Sequence, residues 1–216
     1  MRKLTLSFDN GPDTEYTPAI VDLLNEQGVR GSFFVVGQNI AAPGAHAALE
    51  KAHESGHWIC NHTYSHGDPL GWGDDAARAA DEISRAESAI GLWSHPRKFF
   101  RPNGAGQLGR HLLNRAAVRY LTDNRFTVVT WNNVPEDWVE PRAEWVDRAL
   151  ETMRTQAWSL VVIHDFLIGP MLPTLARFIE DVRTSGVEIV QDFPPDCVHM
   201  ECGLALPSLE TVTTLS

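Results

Sequence analysis

The sequence predicts an α/β fold, a partly degenerate (β/α) barrel with about seven parallel strands and its active site at the C-terminal rim. Three observations predict it. Short β-branched or aromatic runs alternate with amphipathic helical stretches along the 216 residues. Several helical stretches stop at a glycine, the residue that ends helices most readily. Polar, reactive side chains fall just after the strand-like runs, where the loops of such a barrel converge on one mouth. Strands alternating with helices imply parallel pairing through right-handed crossovers, and seven or so units favour closure over an open sheet.

The first strand is read at residues 4–8. A helix follows with Thr17 as N-cap, Pro18 at the first helical position, an Ile20, Leu23 and Leu24 stripe, and Gly28 as its stop. The second strand spans 32–36, a helix at 45–55 ends at Gly56, and the third strand spans 57–61. Asp74 is placed to cap a long helix whose Ala79, Ile83, Ala86 and Ile90 face inward until Gly91. A fourth strand at 98–100 precedes a short helix near Leu112 and Leu113, and a fifth strand lies at 127–131. Pro141 opens a helix carrying Trp145, Ala149 and Met153. The sixth strand is 159–163, a helix covers 172–184, and a seventh strand at 187–190 follows Gly186. Residues 197–216 show no clear period and receive no assignment. No repeat, low-complexity tract or linker divides the chain, so one domain over 1–216 is expected.

Composition narrows the function classes. At 43% hydrophobic and 21% charged residues, the chain is ordinary for a soluble globular protein. No apolar run approaches the ~20 residues of a bilayer span, so membrane insertion is not expected. The formal net charge of −10 argues against nucleic acid, whose phosphates call for a basic face. Cys60, Cys197 and Cys202 match no zinc or redox spacing and read as free thiols. The N-terminal MRKLTLSFD carries no apolar leader, so a cytoplasmic protein is expected, with a trimmed secreted protein as the alternative.

The chemistry-bearing residues cluster after strand ends: Asp9 and Asn10, His62 and His66, Arg101, Asp137, and His164. His62 and His66 lie four apart, on one face of a helical turn, a spacing that suits a divalent metal. A metalloprotease motif needs Glu directly after the first His, and Thr63 stands there. Two histidines need a third, oxygen ligand and an open position for water, and the Asp9-Asn10-Gly11-Pro12 turn offers both side chains.

Taken together, these segments resemble the polysaccharide deacetylase family, also called the NodB-homology domain or carbohydrate esterase family four. Five motifs appear in the family's order between residues 5 and 165. Ser7-Phe8-Asp9-Asn10-Gly11-Pro12 is similar to T-F-D-D-G-P, and His62-Thr63-Tyr64-Ser65-His66 matches H-[ST]-x-x-H. Phe100-Arg101-Pro102-Asn103-Gly104 is similar to F-R-P-P-Y-G. Asp137-Trp138 keeps the end of D-x-x-D-W, with Val134 at its first acid, and Val162-Ile163-His164 resembles L-x-H. One such motif is unspecific; five in order are not.

The resemblance implies a metal-dependent hydrolase that removes acetyl groups from N-acetylated or O-acetylated sugars or oligosaccharides. It implies Asp9 as general base toward water, Arg101 as the arginine that pairs with it, His164 as general acid, and Asp137 as the group that orients that acid. His62, His66 and Asn10 would hold the divalent ion: zinc, with cobalt or nickel as alternatives. Trp138 and Ile163 would form the apolar slot for the acetyl methyl, and a backbone N–H near Gly104 would help hold the oxyanion. Two departures carry further expectations. Asn10 replaces the family's metal-binding Asp, a neutral oxygen in place of a carboxylate. Asn103-Gly104-Ala105-Gly106 lacks the family's Tyr, which should remove a bulky wall and let substrate approach the backbone. The rival readings are a related C–N hydrolase acting on cyclic amides or imides, and a non-catalytic carbohydrate-binding homologue.

Overall fold

The computed structural model describes residues 2–104 and 106–214, so Met1, Ala105, Leu215 and Ser216 lie outside it. In chain order it contains β1 (Lys3–Gly11), α1 (Tyr16–Glu26), β2 (Ser32–Val35), α2 (Ala45–Glu54), β3 (Trp58–Asn61) and α3 (Ala76–Ile90). Then come β4 (Phe99–Phe100), α4 (Arg115–Asp123), β5 (Thr127–Val129), α5 (Trp145–Thr155), β6 (Trp158–His164) and the short turn α6 (Asp165–Ile168). The chain finishes with α7 (Leu172–Thr184), β7 (Glu188–Ile189), β8 (Val198–Glu201) and β9 (Leu204–Ala205).

The sheet runs β6-β1-β2-β3-β4-β5-β8-β9, with β7 beside the first residues of β1. β1 to β7 pair in parallel, and β8 and β9 join antiparallel beyond β5. A lone bridge from Asn133 to Val161 links the chain after β5 to β6, curling the sheet into a half-barrel. Side-chain alternation along β1 explains the layering. Leu4, Leu6 and Phe8 face outward into a core shared with Ile20, Leu24, Leu49, Trp145 and Phe178 of the surrounding helices. On the other parity Thr5, Ser7 and Asp9 are buried polar residues that turn inward. Phe34, Cys60, Phe99, Val129 and Leu160 fill the interior, closed by Phe193 and Cys197.

Several expected elements shift. Thr17 is not the N-cap of the first helix. Asp13 accepts from the Glu15 and Tyr16 amides instead, and Thr17 spends its hydroxyl on Asp165 across the fold. Asp75, not Asp74, caps α3 by accepting from the Arg78 amide. The helix expected near Leu112 and Leu113 begins later. Arg110–Leu112 is a 3-10 turn, and Asn114 caps α4 at the Ala117 amide. The tail that lacked a period forms β8 and β9, strands too short to show alternation. Among the described residues no helix is long and apolar enough to cross a membrane.

Candidate active site

β1 ends in a bulge. Asp9 pairs with Phe34 but Gly11 with Val35, so Asn10 is the extra residue, at φ 70°. A bulge re-aims side chains that strict alternation would send to opposite faces, and Asn tolerates the left-handed conformation better than most residues. The Asn10 carbonyl accepts from Asn39 Nδ2 at 2.8 Å, while its Oδ1 is buried without a hydrogen-bond partner.

Asp9 is met from below by Arg101, a wholly buried guanidinium delivered by the end of β4. Arg101 Nη1 donates to Asp9 Oδ1 at 2.6 Å and to Ser7 Oγ at 2.9 Å, and Nη2 donates to the Thr130 carbonyl at 3.2 Å. Its guanidinium carbon lies 3.8 Å from the Phe34 ring centroid, a cation–π contact inside the barrel. Charge, fork and stack together fix one oxygen of Asp9 and leave the other toward the cleft.

His62 and His66 do not share a helical turn. They sit in an irregular loop after β3, with Thr63 and His66 at positive φ. Their rings nevertheless lie 4.9 Å apart between centroids. The loop is shaped by Glu82 of α3, whose Oε2 accepts from the Tyr64 and Ser65 amides at 3.1 and 2.9 Å. Ser65 Oγ donates to Glu82 Oε1 at 2.7 Å. His62 Nδ1 lies 2.8 Å from the Arg101 carbonyl, which can only accept, so Nδ1 carries the proton. Nε2 is then an open lone pair, 3.5 Å from Asp9 Oδ2. Burial pushes the His62 ring down to about 4 despite Asp9 beside it, so it is neutral at pH 7. Burial also lowers His66.

The opposite wall comes from β6. Parallel pairing sets Asp9 against His164 and Phe8 against Ile163, so Asp9 and His164 share the inner face. Asp137, fully buried after β5, holds His164 twice. Its Oδ1 takes Nδ1 and its Oδ2 the backbone amide, both at 2.8 Å. Burial opposes the charged ring, but the Asp137 bond and charge outweigh it and raise the His164 pKa.

The slot between these walls holds about 100 Å³. Asp9, His62, His66 and His164 form its polar side, and Trp131, Val134, Trp138 and Val162 its apolar side. Ile163 is a correction: it lies in the outer core with Leu6 and Phe8. Since side chains alternate, the strand that turns His164 into the slot must turn Val162 in and Ile163 out. Gly104 lines the slot as expected from sequence, but no open wall results. A Cβ on Gly104 would clash with the tip of the Trp131 indole, which takes that space. Ala105 of the same segment lies outside the described residues.

Sequence reasoning missed Glu82 and Asp165. Glu82 faces the core side of α3, where an acid resembles an interruption of the apolar stripe; that buried acid is the one signal that could have found it. Replacing Glu82 by Ala should destabilise the protein by about 2–4 kcal/mol, as judged by urea unfolding, because the Tyr64 and Ser65 amides and the Ser65 hydroxyl lose their acceptor. An unchanged unfolding midpoint would contradict its role in shaping the loop. Asp165 is buried beneath the β1 bulge, accepting from Thr17 Oγ1, and burial pushes its carboxyl up to about 7.

Comparison with known proteins fits this geometry. Residues 1–129 match the family model described as polysaccharide deacetylase. A peptidoglycan-N-acetylglucosamine deacetylase of Bacillus cereus is 33% identical over 192 residues, covering 87% of this chain and 66% of that protein. This chain therefore spans slightly less than two thirds of that relative's length. A chitooligosaccharide deacetylase of Sinorhizobium fredii is 28% identical over 162 residues, covering 74% of this chain and 70% of that protein. Among solved structures, a T48 deacetylase with substrate superposes with TM-score 0.71 at 25% identity, covering 90% of this chain and 94% of that one.

Proposed function

Because the chain belongs to the polysaccharide deacetylase family, we propose that it is a metal-dependent hydrolase removing acetyl groups from N-acetylated, or O-acetylated, sugars or oligosaccharides. The observation that carries this reading is the facing of Asp9 and His164 across paired strands, each held by its own charged partner. Relatives named for peptidoglycan N-acetylglucosamine and for chitooligosaccharides support a substrate built on N-acetylglucosamine.

The donor set suits a divalent ion. His62 presents a bare Nε2, His66 lies beside it, and Asn10 Oδ1 is a buried acceptor without a hydrogen bond. Among the described residues no three His, Cys, Asp or Glu side chains group to hold a metal, and on this reading the Asn10 amide would supply the third donor. When bound, zinc, cobalt or nickel would supply Lewis acidity to the attacking water and the acetyl carbonyl.

The chain's own residues do the rest. Arg101 pins one oxygen of Asp9, and the other takes the proton from water as its oxygen attacks the acetyl carbon. A backbone N–H near Gly104 would donate to the developing oxyanion. With Nδ1 committed to Asp137, His164 delivers its proton from Nε2 to the sugar nitrogen as the C–N bond breaks, giving acetate and the free amine. Trp138 stands edge-on to His164, 5.5 Å between ring centroids, and with Val162 walls the methyl.

Assaying acetate release from acetylated sugars alongside ring opening of cyclic imides tests the reading. Acetate from the sugars is expected; turnover of the imides alone would assign another C–N hydrolase. A slot of about 100 Å³ favours a small acyl group.

Asn10 carries a second expectation. A neutral oxygen in a half-buried site forgoes a charge–charge attraction of several kcal/mol, much of it offset by the desolvation a carboxylate would suffer. Asn10→Asp should tighten zinc binding about tenfold to a hundredfold in calorimetric titration. Equal affinities would remove Asn10 from the ligand set.

A further inference from the structure

Large apolar side chains exposed on this protein are not scattered. Among the described residues seven are exposed, and Trp72, Leu108, Trp138, Val139 and Phe166 sit on loops that follow the C-terminal ends of β3, β4, β5 and β6. Only Leu92 and Leu204 lie elsewhere. This collar therefore lies at the same end of the half-barrel as the catalytic slot, which Trp138 lines, and exposed apolar residues gathered at one end mark a binding surface more often than scattered ones do.

Two of its rings are tied to the chemistry. Phe166, 48% exposed, lies 6.2 Å from the ring of His164, the acid that must meet the sugar nitrogen. Trp72, 60% exposed, stacks at 30° on His111, whose Nε2 lies 3.2 Å from the Gly104 carbonyl at the slot wall. The slot itself takes only an acyl group, so the sugar ring and anything linked to it must lie on this collar. A net charge of −10 disfavours an anionic membrane as the occupant.

We propose that Phe166 and Trp72 are stacking platforms for sugar rings, one beside His164 and one behind Gly104, so that the protein holds a glycan chain of several units. This rests on the deacetylase reading above. The apolar faces of pyranose rings, lined with C–H groups, fit flat aromatic surfaces, and each ring buried should be worth about tenfold in affinity.

The test is titration calorimetry with N-acetylglucosamine and its β-1,4-linked tetramer, acetate release being followed in parallel. The wild-type protein should bind the tetramer at least about tenfold more tightly than the monomer. Trp72→Ala and Phe166→Ala should each cut tetramer affinity about tenfold, with the tetramer-to-monomer ratio falling for Trp72→Ala. Trp72→Leu and Phe166→Leu, which keep apolar bulk without a ring face, should lose most of the same affinity. Tetramer affinity unchanged in all four variants overturns the proposal, whether or not acetate is released. Absent acetate release with the expected affinity losses overturns the deacetylase reading and leaves the platforms standing. Binding to phosphatidylcholine–phosphatidylglycerol vesicles that both Ala variants abolish, with tetramer affinity intact, would assign the collar to lipid and overturn the proposal.

Discussion

Replacing Asp9 by Asn should lower kcat for deacetylation by about 10²–10⁴-fold, the usual worth of a positioned base. The amide still meets Arg101 Nη1 but cannot accept a proton from water. Asp9→Ala should add a folding defect. Arg101 is 0% exposed and Asp9 is its carboxylate partner, so the truncation leaves a buried guanidinium against only Ser7 Oγ and the Thr130 carbonyl. Breaking such a pair costs about 3–5 kcal/mol. Steady-state kinetics on the Asn variant and urea unfolding of the Ala variant separate the two effects. An Asn variant that keeps more than about a tenth of wild-type kcat would remove Asp9 from the base role.

His164→Ala should cost about 10²–10⁴-fold in kcat on amide substrates and less on aryl esters, whose phenolate departs without a proton. Equal losses on both would contradict the acid assignment. The same pair sets a pH dependence. Asp137 raises the His164 pKa, so the proton-bearing form persists to higher pH than for a free imidazole and is lost as pH climbs through the raised value. Activity on amides should therefore fall on the alkaline side at a pH above the imidazole's ordinary 6.5. Asp137→Asn should move that fall to lower pH, visible in a kcat/KM profile.

Much of this was legible in the chain itself, and the reasons differ by element. Alternating strands and Gly-stopped helices revealed the parallel half-barrel because burial on both sheet faces forces apolar runs. The reactive residues were legible because each lies at or beyond the C-terminal end of a strand, and register brings strand ends together: Asp9 beside His164 is a consequence of β1–β6 pairing. Ile163 was misread because the motif was matched without applying the alternation that already placed His164 inward. The histidine loop was misread as helical because spacing alone cannot reveal Glu82, which bends it from another element. Trp131 was invisible as a slot wall because its role depends on Gly104, about thirty residues away in sequence and in contact only after folding. The closing strands of the tail are too short for periodicity to exceed noise.

Metal-dependent deacetylation is tested most directly by acetate release from N-acetylglucosamine oligomers. The purified protein is assayed after exhaustive chelation and again after adding back zinc, cobalt or nickel. Activity should disappear on chelation and return with at least one of the three ions, in proportion to ion bound at a single site that His66→Ala abolishes. Acetate release that survives chelation unchanged, with no ion detectable in the active protein, would contradict the account.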